Sequence, residues 1–88
     1  MKQQKLLNKL KVILSAKRHA QLEKYSSLKR VLKALRAEKK RLEKELAGDI
    51  DDETRHEIAS KLKVISKQRK KGLKVLQDLK EERDSKHQ

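Results

Sequence analysis

The 88-residue chain has no cysteine, proline, tryptophan or phenylalanine, and Tyr25 is its one aromatic residue. Without cysteine there is no disulfide to reinforce a small core, and no thiolate to serve as nucleophile or metal ligand. Without proline, and with glycine only at positions 48 and 72, little in the chain can interrupt a helix. The scarcity of aromatic rings removes the platforms on which unpaired bases stack. The longest apolar run, Val12-Ile13-Leu14, is far short of the roughly 20 residues that span a bilayer. The N-terminal stretch also lacks the apolar core and small-residue cleavage site of a secretory leader, so a cytoplasmic protein is expected.

Charge fills the space that apolar residues leave. Asp, Glu, Lys and Arg make up 44% of the chain and apolar residues 34%, against the roughly 45–50% apolar share usual in globular chains. Twenty-six Lys and Arg oppose 13 Asp and Glu, a net charge of +13. Such a composition suits long helices with narrow apolar stripes. It predicts an all-α fold in one domain over residues 1–88, with so little core that self-association is expected to contribute stability.

The chain is organised around the segment Ala47–Glu53, where helix-ending and helix-starting signals meet. Gly48 follows the last apolar positions and is placed to close a helix in the left-handed conformation. Asp51 is placed to cap a new helix, with Asp52 and Glu53 beside the positive end of its dipole. Helix 1 is therefore expected over about 2–47, a turn over 48–51, and helix 2 over about 52–84.

Tyr25, Leu28, Leu32, Leu35, Leu42 and Leu46 alternate in three- and four-residue steps, a coiled-coil seam broken only at Lys39. Ile58, Leu62, Ile65, Leu76 and Leu79 continue it after the turn, with Arg69 and Gly72 in the middle positions. An antiparallel hairpin pairing Leu46 with Ile58 puts Gly72 opposite Leu32 and Tyr25 opposite Leu79. Residues before about Gln21 then overhang. That overhang is the most apolar part of the chain, so Leu6, Leu7, Leu10, Ile13 and Leu14 are expected to meet a partner, first of all a second copy in a dimeric helical bundle. The apolar phase also slips between Ala20 and Leu28, which leaves a three-helix bundle with a break near Tyr25–Ser27 as the alternative.

Glu53-x-x-His56 has the spacing of a bundle metal ligand pair, but it stands at a helix start where acids serve the dipole, and His56 falls off the buried face. No metal, cofactor or catalytic constellation follows from the sequence, and an enzyme is not expected. Charge is segregated instead: residues 1–47 hold 15 basic and 4 acidic side chains, 48–57 hold 1 and 5, and 58–74 hold 7 and none. Opposite the seam lie Arg30, Lys33, Lys40, Arg41 and Lys44 on the first arm, and Lys63, Lys67, Lys70, Lys71 and Lys74 on the second. These ten are the expected phosphate contacts of a protein that binds double-stranded or structured nucleic acid with little sequence choice. Lysine outnumbers arginine 19 to 7, which favours point-charge contact over bidentate base reading. A coiled-coil adaptor binding protein partners is the alternative function. The basic, acid-free segment 1–22 also has the stripe of a membrane-surface helix, but without aromatic anchors a membrane is not an expected partner.

Overall fold

At the hinge the chain leaves helical conformation after Leu46 and resumes it at Asp52. The computed structural model of the chain describes residues 2–86, and all regular structure within them is helical: α1 Lys2–Ser15, α2 Arg18–Glu23, α3 Tyr25–Leu46 and α4 Asp52–Lys86. Helices α3 and α4 form the antiparallel hairpin, and its register matches the seam. An ideal Cβ on Gly72 would lie 2.6 Å from a δ carbon of Leu32, and the Arg83 guanidinium, one turn past Leu79, lies 4.3 Å from the centre of the Tyr25 ring.

The two ends of the hinge are satisfied differently. The Thr54 amide donates to Asp51 Oδ1 at 3.0 Å, so Asp51 caps α4. Gly48 does not close α3 in the left-handed conformation, since neither glycine has a positive φ. The helix ends instead in a tight turn, with Gly48 N–H donating to the Glu45 carbonyl at 3.0 Å. Arg55 reaches back from the first turn of α4 and donates to the Leu46 carbonyl at 2.8 Å. Those carbonyls find donors without any unusual backbone angle.

The stretch 2–47 is not one helix. The chain reverses at Ala16-Lys17, where Lys17 is extended (φ −69°, ψ 158°), and it kinks again at Lys24, next to the expected Tyr25–Ser27 break. Ser26 and Ser27 do not cap α3, whose first turn has Lys24 before it and no side-chain cap. Gln21 is the device that makes the reversal possible. It is buried, 6% exposed, and its Nε2 donates to the carbonyls of Ile13 at 3.0 Å and Leu14 at 3.3 Å. Those are carbonyls that lose their helical donors when α1 stops.

Reversal folds α1 back along the hairpin, antiparallel to α3 and parallel to α4. Leu7, Leu10 and Ile13 enter one core with Leu28, Val31, Leu32, Leu35, Ile65 and Leu79, while Leu6 and Leu14 pack on its edge half-buried. The apolar surface that called for a second copy is thus covered by the chain itself. Its phase slip explains why: with 100° per residue on a helix, a stripe one residue out of step cannot continue the α3 seam, but a separate helix can turn it inward. Full burial of a leucine contributes about 1.5–3 kcal/mol, so leaving α1 undocked would forfeit several such terms. The bundle measures 54 × 21 × 16 Å, its long axis set by the 35 residues of α4. Among the described residues no helix is long and apolar enough to cross a membrane.

Candidate nucleic-acid interface

All ten basic residues expected to meet phosphate are exposed. The seam of α4 is buried at Ile58, Ile65, Gly72 and Leu79, a strict seven-residue repeat, and this turns Lys63, Lys67, Lys70 and Lys74 outward in one stripe. At 1.5 Å per residue the stripe is about 16 Å long. Lys71 flanks it. No carboxylate occurs between Ile58 and Lys74, so Lys63, Lys67 and Lys70 have no acid within one turn on their own helix, and Asp78 stands one turn beyond Lys74.

The first arm offers less. Arg41 is bound on both sides along its own helix: its Nε donates to Glu38 at 2.9 Å and its Nη1 to Glu45 at 2.8 Å, and Nη2 also pairs with Glu38. The hydrogen bond and charge of Glu38 hold its pKa above the usual guanidinium value, so Arg41 is a cation whose charge is already answered. Lys40 and Lys44 are exposed beside it. Arg30 and Lys33 stand at the rim of a groove between α3 and α4. Because the outer faces of paired helices point away from each other, the α3 and α4 stripes cannot lie on one flat surface, and the α4 stripe is the coherent one.

That groove holds the cations missing from the expected set: Lys29, Arg36 and Arg69 line it together with Arg30 and Lys33. Arg69 is half-buried, and its Nε donates to the Leu32 carbonyl at 3.3 Å. The signal for these residues was their position: Lys29 and Arg36 each follow a buried seam leucine, Leu28 and Leu35, and so flank the seam rather than oppose it. Of the residues expected at a partner interface, Leu7, Leu10 and Ile13 are 5%, 0% and 4% exposed; packed inside the chain's own core, they are not on offer to a partner. Glu53 and His56 are exposed on the first turns of α4, beside the Asp51 cap.

No protein-family model, curated protein or solved structure matches this chain. Its functional reading therefore rests on the geometry of its surface.

Proposed function

We propose that this chain is a non-enzymatic basic protein of the cytoplasm that binds double-stranded or structured nucleic acid through phosphate contacts along the outer face of α4. The supporting observation is the acid-free stripe Lys63, Lys67, Lys70 and Lys74, held in line by a single rigid helix. Ammonium groups at one-turn spacing track a phosphate backbone without reading bases, so affinity without sequence choice follows. Each neutralised phosphate releases counterions, and four of them give a slope of log affinity against log salt of about −3.6.

The test is a titration of mixed-sequence duplexes at several salt concentrations, comparing the parent with Lys63→Glu, Lys67→Glu, Lys70→Glu and Lys74→Glu combined. These side chains lie off the core, so the variant is expected to keep its helical content while losing affinity on every sequence and flattening the salt slope. Equal binding by parent and variant would refute the proposal, as would no binding by either at low salt.

A further inference from the structure

Three packed helices leave three grooves, and each contains one of the large apolar side chains that stay exposed among the described residues. Val12 (58%) lies between α1 and α3, Val64 (48%) between α1 and α4, and Leu73 (41%) between α3 and α4. Their rims differ. Among the described residues Lys61 is the one cation lining the α1–α4 groove, and Lys9, Lys24 and Arg30 line the α1–α3 groove. The α3–α4 groove has five cations, no acid, and a leucine floor.

We propose that the α3–α4 groove is a docking site for an acidic amphipathic helix of another protein, seated there as the fourth helix of a bundle. Helix α1 already occupies the other side of the hairpin, where Leu10 and Leu32 close over Gly72. On the open side Leu73 and Leu76 of α4 form a floor beside Leu32. Lys29, Lys33 and Arg36 rise along the α3 wall at i, i+4 and i+7, while Arg69 stands on the α4 wall, fixed by its bond to the Leu32 carbonyl. The α3 side runs from Ser26 to Arg36, about 15 Å or nearly three turns of a docked helix.

Charge selects the occupant. Leucines on the floor ask for an apolar stripe, and cations on both walls ask for carboxylates flanking that stripe, the arrangement by which coiled-coil partners are chosen. A second copy of this chain would bring basic helices against a basic rim, which is repulsive. Its acidic stretches are 48–57, with Ile50 as its one large apolar residue, and 78–84, whose Leu79 is fully buried in its own core, too little for the floor. A phosphate backbone gains nothing from leucines, and the groove has no aromatic ring for bases.

The test uses the full chain and a fluorescein-labelled synthetic helix of roughly 15 residues, with leucines at i, i+3 and i+7 and glutamates flanking them. A scrambled peptide of the same composition is the control, and binding is read by fluorescence anisotropy at near-physiological salt. The amphipathic peptide is expected to bind, the scrambled one about tenfold or more weakly, about 1.4 kcal/mol. Leu73→Glu and the milder Leu73→Ser should weaken the peptide by a similar factor, and Leu73→Ser, which adds no charge beside Lys70 and Lys74, should leave duplex titrations unchanged. Amide shifts on adding peptide should centre on Ser26–Arg36 and Arg69–Leu76, and spare Lys9–Val12. The proposal is overturned if neither peptide binds, if both bind alike, or if the amide shifts fall elsewhere. It is overturned too if Leu73→Ser weakens duplex and peptide equally, which would make the groove part of the nucleic-acid surface.

Discussion

Gly72 sits in the interior of α4, where a glycine ordinarily costs a helix about 1 kcal/mol relative to alanine. At an open site Gly72→Ala would therefore stabilise. Here the added Cβ would stand 2.6 Å from Leu32 Cδ2 and 3.1 Å from Leu10 Cδ1, well inside the roughly 3.5–4.0 Å of ordinary carbon contact. Both neighbours are core residues, Leu32 at 3% and Leu10 at 0% exposure, so neither can swing into solvent to make room. Overpacking of this kind costs about 1–3 kcal/mol. Taking about 2 kcal/mol for the clash against about 1 kcal/mol of helix propensity, Gly72→Ala should destabilise by about 1 kcal/mol, or about 4–8 °C in Tm for a chain of this size.

The sign should reverse when the obstacle is shortened. Leu32→Val removes the 2.6 Å contact with Cδ2, leaving Leu10 Cδ1 at 3.1 Å, which must give by a few tenths of an ångström, and the position of the Leu32 Cγ at an ordinary 3.5 Å. In that background Gly72→Ala should be neutral or stabilising, a coupling of about 1 kcal/mol or more between the two sites. Urea unfolding of the four proteins, followed by circular dichroism, completes the cycle. Stabilisation by Gly72→Ala in the parent, equal to that in the Leu32→Val background, would refute the three-helix contact at this glycine.

Gln21→Leu should destabilise by about 1–3 kcal/mol, because the Leu14 carbonyl loses its side-chain donor and the Ile13 carbonyl keeps only the Ala16 amide at 3.2 Å; hydrogen exchange should show α1 opening before α3, and uniform protection would contradict this. Asp51 has its pKa lowered by the Thr54 side-chain hydrogen bond and then the Thr54 amide. Its contribution to stability is therefore complete above the ordinary carboxylate pKa of about 3.9 and is lost as pH falls through the lower folded value. Asp51→Asn keeps a capping oxygen without the charge, so the parent's Tm should fall more steeply than the variant's on acidification below about pH 4, and parallel curves would exclude Asp51 as a source of acid sensitivity.

Much of the hairpin is legible because its signals are local. Asp51 precedes helical periodicity and caps, and the register follows from pairing Leu46 with Ile58 across a short turn, which brings Gly72 to Leu32 a further 14 residues along each arm. Gly48 misleads because a glycine after a helix suggests the left-handed cap, whereas the arginine that replaces that cap comes from the next helix. The reversal at Ala16-Lys17 carries no glycine or proline. What marks it is Gln21, an amide seven residues before Leu28 and hence at a seam position, where an apolar residue would serve a continuous helix better. A buried amide at a seam position needs carbonyl partners, and the end of a helix is where unpaired carbonyls are found.

The same geometry decides which cations are grouped. A two-helix reading sorts residues into those facing the seam and those opposite it, which finds Lys63, Lys67, Lys70 and Lys74 but counts Arg69 to the seam and leaves Lys29 and Arg36 unclassified. Once α1 fills one side of the hairpin, the residues flanking the seam on the other side become the walls of a groove, and their charges converge instead of pointing apart. Convergence raises the local positive potential above what the same charges produce on separate faces. Placing those cations around Leu73 and Leu76 also keeps the groove from closing on a like-charged copy of itself. The overhang demanded a covering surface for its leucines, and in covering them within one chain the fold leaves a leucine floor on the opposite face, where the cations stand.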